Sequence, residues 1–135
     1  MHNILVIDDE LDVRDAIKRV LDRAGYSVRT AANVADALAE LRKSGADVVI
    51  TDIIMPKSNG VEAITWIHKE FPSARIIAIS GGGNFGMGGY QPTAITTSAY
   101  LAAAQRAGAH LLMTKPFEAK DLIQAVEKVL GVGHA

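Results

Sequence analysis

Four apolar runs in this chain each end on a polar or charged group. Ile4-Leu5-Val6-Ile7 runs into Asp8-Asp9-Glu10, and Val48-Val49-Ile50-Thr51 into Asp52. Arg75-Ile76-Ile77-Ala78-Ile79 ends at Ser80, and Leu111-Leu112-Met113-Thr114 ends at Lys115-Pro116. Each run has the length and composition of a buried strand. They are continuously apolar rather than alternating, the pattern of strands covered on both faces.

The segments between the runs have helical spacing. Val13, Ile17, Val20 and Leu21 recur at helical intervals after Asp9, with Arg14, Asp15, Lys18, Arg19 and Asp22 on the other face. Gly25 stops that helix, and Tyr26 to Thr30 forms a short second strand. Asn33 can cap a second helix, with Asp36 at the reciprocal capping-box position and Val34, Ala37, Leu38 and Leu41 as its buried stripe. A loop with Met55-Pro56 and Asn59-Gly60 leads to a helix that turns Val61, Ile64, Ile67 and Phe71 inward and stops at Pro72. A last helix follows Lys115-Pro116, buries Leu122, Ile123, Val126 and Val129, and ends at Gly131. The Ala-rich part of 93–107 favours a helix, although Thr93, Thr96 and Thr97 lower the propensity at its start.

Five β-α units imply a parallel sheet with right-handed crossovers and helices on both faces. The expected architecture is α/β, a doubly wound five-stranded parallel sheet of order 2-1-3-4-5, whose switch point lies between strands one and three. Ligand sites in such sheets lie at the carboxyl ends of the strands, so Asp8 and Asp9 fall beside Asp52.

The totals narrow the function classes. The chain has 135 residues, of which 49% are hydrophobic and 21% charged, and suits one domain with a proper core. A net charge of −1 gives no footprint for nucleic acid. The lack of cysteine rules out disulfides and thiolate chemistry. With no signal peptide and no long apolar stretch, the expectation is a cytoplasmic protein with no membrane contact.

Carboxylates this close repel one another unless a cation balances them. A hard divalent ion with oxygen ligands does so, and Mg²⁺ suits a site with few carboxylates and retained waters. No His or Cys lies at ligand spacing, which disfavours zinc. Asp52 kept ionised in this way can attack phosphorus as a carboxylate nucleophile, with the Lys115 ammonium and Ser80 hydroxyl on the phosphoryl oxygens.

These motifs resemble the receiver domain of two-component response regulators, the CheY-like family. The resemblance runs from Asn3 to about Leu130 and rests on Asp8-Asp9, Asp52 with Met55-Pro56 and Gly60, Ser80, and Lys115-Pro116-Phe117. It implies that Asp52 is the phosphoacceptor, that Asp9 with Asp8 and Asp52 holds Mg²⁺, and that the Ile54 carbonyl completes the metal shell. Lys115 and Ser80 would contact the phosphoryl group, and a histidine kinase or phosphotransfer protein would supply it. The expected product is a single receiver domain over 1–135 (core about 3–130) with no output domain. It would be a monomer or weak dimer that signals to a downstream protein target, and not an enzyme beyond slow loss of its own phosphoryl group.

The sequence departs from the family in two places. Leu112 stands where the family commonly has an aromatic switch residue, which leaves Tyr100 as a candidate for that role. The gap from Ser80 to Lys115 is 115 − 80 = 35 positions, longer than the family pattern. The extra length begins at Gly81-Gly82-Gly83-Asn84-Phe85-Gly86-Met87-Gly88-Gly89-Tyr90, with its six glycines. A mobile loop is the plain reading of that stretch and a partner-contacting loop using Phe85, Met87 and Tyr90 a second; a phosphate-cradling loop is the third, but the Gly-Lys-Ser/Thr and helix-opening fingerprint it needs are missing. Beside the phosphorylated switch stands a receiver-like module that binds partners regardless of phosphorylation. An aspartate-nucleophile phosphatase fits less well, because Asp8 and Asp9 are adjacent rather than separated by one residue. A flavin protein would need a phosphate-binding loop where the acids are. His68 and His110 are expected to be structural or solvated, and Trp66 half exposed.

Overall fold

The computed structural model describes residues 2–55, 58–80 and 102–131. Five parallel strands form the sheet: β1 (Asn3–Ile7), β2 (Ser27–Ala31), β3 (Val48–Asp52), β4 (Arg75–Ser80) and β5 (Leu111–Thr114). Their spatial order is β2-β1-β3-β4-β5, as the β-α alternation requires. The helices are α1 (Leu11–Arg23), α2 (Val34–Ser44), α3 (Gly60–Glu70), α4 over 102–107 and α5 (Ala119–Leu130). No helix among the described residues is long and apolar enough to cross a membrane.

Successive strand residues point to opposite faces, so each apolar run fills two cores. Leu5, Ile7, Val49, Ile76 and Ala78 pack with Ala37, Leu41, Ile64, Ile67 and Ala104 from α2, α3 and α4. Ile4, Val6, Val48, Ile50, Ile77 and Ile79 pack with Ile17, Leu21, Leu122 and Val126 from α1 and α5. Both faces are therefore dry, which accounts for the unbroken apolar runs.

Asn33 caps α2 as expected, while the Asp36 carboxylate accepts from the Asn33 side-chain Nδ2 at 3.1 Å. The Asn33 side chain accepts from the Asp36 N–H at 2.8 Å, and Gly45 ends the helix at φ 67°. Three expectations need correction. The second strand begins at Ser27, because the Tyr26 N–H still closes the turn after α1 on the Leu21 carbonyl at 3.1 Å. β5 is only partly buried, because it is an edge strand with a neighbour on one side. The loop after Asp52 contains a small antiparallel ribbon, Ile54–Met55 against Ser58–Asn59.

Two histidines stitch α3 to the start of β5. His110 N–H donates to the Ile76 carbonyl at 2.8 Å, while the Ile76 N–H donates to His110 Nδ1 at 3.0 Å. The imidazole thus takes the place of a backbone acceptor at the foot of the sheet. The rings of His68 and His110 meet edge to face, with centroids 6.0 Å apart. Gly108 (φ +129°) lies so close to His68 that a Cβ there would stand 2.6 Å from the ring's Cγ.

His110 must be neutral at Nδ1 to accept that bond. Partial desolvation of the ring, on a residue otherwise exposed, then the charge of Arg75 and the presence of His68, hold its pKa below the ordinary 6.5. Between the lowered folded value and 6.5 the unfolded chain binds the proton and the folded chain does not. Stability therefore rises with pH through that interval and levels off above it. The difference in urea stability between wild type and His110→Phe should show this slope, because the opposing titration of Asp8 below about 6 is common to both proteins. That substitution leaves the buried Ile76 N–H without its acceptor, at a cost of about 1–3 kcal/mol.

Candidate functional site

The parallel register brings the strand ends together. Ile7 pairs with Thr51, so the next residues, Asp8 and Asp52, sit side by side at the carboxyl edge. Asp52 pairs with Ile79, and Ser80 with Thr114, so the hydroxyl and the lysine follow one step along. The Lys115 N–H continues the ladder to the Ser80 carbonyl at 2.8 Å.

Asp8 and Asp52 are almost wholly buried, at 2% and 3% exposure, an unusual place for two carboxylates. Lys115 Nζ stands between them, 3.1 Å from Asp52 Oδ2 and 3.8 Å from Asp8 Oδ2. Asp8 Oδ1 accepts the Glu10 N–H at 2.9 Å, a local Asx-type turn that leads the chain into α1. Asp9 and Glu10 lie exposed at the mouth, and the carboxylates of Asp8, Asp9 and Glu10 approach within 4.8 Å of one another.

The charges are frustrated as they stand. Burial above all, then the nearby Asp52 and Asp9, push the Asp8 carboxyl up to about 6 against the pull of the Glu10 N–H and Lys115. Burial alone would lower the Lys115 pKa, but Asp52, with help from Asp8 and Glu10, outweighs it and the net shift is upward. Ser80 Oγ adds a second tension, for it is fully buried and has no hydrogen-bond partner among the described residues. Buried hydroxyls are normally satisfied, so one with no partner among the described residues, at a strand end beside the acidic pair, is available to an acceptor.

The residues present fit Mg²⁺. Their donors are all oxygen, and the crowding around Asp8 is what a hard divalent cation relieves. Asp8, Asp9, Asp52, Ser80 and Lys115 are gathered as the sequence suggests. Ile54 opens the ribbon two residues beyond Asp52. Leu112 packs, half-buried, on the face shared with α2, α3 and α4. Tyr100 and the Gly81–Tyr90 stretch lie outside the described residues. His68 and Trp66 are exposed, Trp66 at 52%.

Two neighbours of the pocket lie outside the ligand set that the sequence suggests. Glu10 joins the acidic group, which its adjacency to Asp8-Asp9 could have suggested. Arg14, placed by helical spacing on the outer face, instead folds back so that Nη1 donates to the Asp8 carbonyl at 2.7 Å. Helical periodicity places the Cα of a long side chain but not its tip.

A test of the frustration needs no phosphodonor. Without divalent ions at neutral pH, Asp8→Asn should be more stable than wild type by roughly 1–3 kcal/mol, the scale set by its raised pKa. The sign follows from a folded value above the unfolded one, so ionising Asp8 costs stability as pH rises from 3.8 to about 6. The urea midpoints of the two proteins in chelator measure it.

The sequence profile of the response regulator receiver domain matches residues 4–88, ending inside the glycine-rich stretch. NtrC of Azospirillum brasilense is 36% identical over 94% of this chain, which spans only 24% of that regulator. CheY of Thermotoga maritima is 32% identical and is spanned almost end to end, with 93% of this chain matched to 95% of that protein. Among solved structures, the receiver domain of NtrX from Brucella abortus superposes with a TM-score of 0.80 at 31% identity, covering 96% of this chain and 99% of that one. Strand order, strand-end acids and these relatives agree, and the chain belongs to the response regulator receiver domain family.

Proposed function

We propose that this receiver accepts a phosphoryl group on Asp52 from a histidine kinase or histidine phosphotransfer protein, and that the modified form switches binding to a downstream protein. The observation that carries this is the placement of Lys115 Nζ against Asp52 Oδ2, beside a buried Ser80 hydroxyl that has no partner among the described residues. A phosphoryl group on Asp52 would give both side chains an acceptor.

The residues divide the work. The Asp52 carboxylate attacks phosphorus, the bond from phosphorus to the donor's imidazole nitrogen breaks, and the electron pair returns to that nitrogen. Lys115 exchanges its contact with the carboxylates for one with the phosphoryl oxygens, and its raised pKa keeps it charged throughout. Ser80 donates to a phosphoryl oxygen, which satisfies the hydroxyl. Asp8, Asp9 and Asp52, with the Ile54 carbonyl, are the proposed Mg²⁺ ligands. Bound there, Mg²⁺ would neutralise the carboxylates and draw charge from the transferring oxygens.

Receiver domains are in general signalling modules rather than enzymes, and this chain's part ends with slow hydrolysis of its own aspartyl phosphate. Readout would pass to a protein, since a net charge of −1 carries no electrostatic footprint for nucleic acid.

Incubation with acetyl phosphate and Mg²⁺ should add one acid-labile phosphoryl group to wild type and none to Asp52→Asn, as intact-protein mass spectrometry reads directly. Equal modification of the two proteins would reject Asp52 as the acceptor.

A further inference from the structure

We infer that Arg14 is a positioning residue for the cation site, fixing Asp8 so that one carboxylate oxygen is presented to the metal. The inference rests on the Mg²⁺ reading above and extends it to a residue outside the proposed ligand set.

Asp8 is held at three of its four polar groups. Its N–H donates to the Ala31 carbonyl at 3.2 Å, continuing the β1–β2 ladder one residue beyond the strand. Its Oδ1 accepts from Glu10 N–H at 2.9 Å. Its carbonyl would next take a ladder donor from the β2 side, but β2 ends at Ala31 and the chain turns away to the Asn33 cap of α2. Arg14 Nη1 fills that vacancy at 2.7 Å. The oxygen that remains is Oδ2, the one Lys115 approaches.

The Asp8 carbonyl belongs to the peptide that joins Asp8 to Asp9. Holding it sets the plane of that peptide, and so the direction in which the chain presents Asp9. The acidic turn of Asp8, Asp9 and Glu10, whose carboxylates lie within 4.8 Å of one another, is thereby tied to the first two turns of α1. The donor is charged and half-buried, the setting in which such a bond is strongest. Groups that orient metal ligands without touching the metal commonly govern its affinity.

Calorimetric titration of Mg²⁺ into wild type, Arg14→Gln and Arg14→Lys tests this, with metal-free melting temperatures measured alongside. Arg14→Gln cannot reach the carbonyl and should bind Mg²⁺ about tenfold more weakly, the lower end of such effects. Arg14→Lys keeps the charge and one donor on a shorter stem and should fall between. Phosphorylation of both variants by acetyl phosphate should be slow at low Mg²⁺ and recover at saturating Mg²⁺, because Arg14 acts only through Asp8. Wild-type Mg²⁺ affinity in either folded variant, whether or not its melting temperature falls, overturns the assignment and leaves Arg14 a structural residue. Failure of wild type itself to bind Mg²⁺ removes the cation reading and this inference with it, a result distinct from loss in the variants alone.

Discussion

Lys115 stands between two carboxylates that the fold has taken almost completely out of water, and the rest of the site depends on that contact. Asp8 and Asp52 bring two negative charges to one edge of a dry sheet, where neither can be solvated and each raises the cost of ionising the other. A single ammonium 3.1 Å from one and 3.8 Å from the other offsets part of that cost. It cannot offset all of it, since Asp8 remains pushed up to about 6. Buried ion pairs seldom add net stability, so the arrangement has to be explained by what it can do. A site with excess negative charge and one movable cation is poised to take up a divalent ion and an anionic group together.

The sheet makes that contact possible. Parallel pairing of β1 with β3, β3 with β4 and β4 with β5 sets four strand ends in one row, and each strand delivers one chemical group. Packing fixes the register, because a slip of one residue would exchange the side chains of the two cores and spoil the fit of each to its own helices. The two cores therefore determine the distances among Asp8, Asp52, Ser80 and Lys115. At the opposite edge His110 closes the ladder with a side chain where a backbone acceptor is missing. Arg14 does the same for the Asp8 carbonyl at the functional edge. Both are polar repairs at places where one strand outlasts its neighbour.

Periodicity carried most of this in the sequence. Unbroken runs such as Val48-Val49-Ile50 announce two-sided burial, and the spacing of Ile17 with Leu21, or Ile64 with Ile67, announces which helix faces meet the sheet. The strand-end residues were legible because topology alone aligns them. Less legible were features set by side-chain reach or by tertiary neighbours. Arg14 has the spacing of a solvent-facing residue, yet its guanidinium travels back over a turn of helix to a carbonyl. Tyr26 has the composition of a strand residue, but its N–H is already committed to the turn after α1. The leucines of β5 look like any buried run, and only the strand order shows that they lie at an edge.

The central claim is that Lys115 and Ser80 wait for a phosphoryl group on Asp52. A crystal structure grown with Mg²⁺ and beryllofluoride, a stable phosphoryl mimic, tests it most directly. The account predicts beryllium bonded to an Asp52 carboxylate oxygen, Lys115 Nζ and Ser80 Oγ within hydrogen-bond distance of its fluorines, and a metal ion among Asp8, Asp9 and Asp52. An Asp52 left unmodified under those conditions, with Lys115 still paired to it, would contradict it.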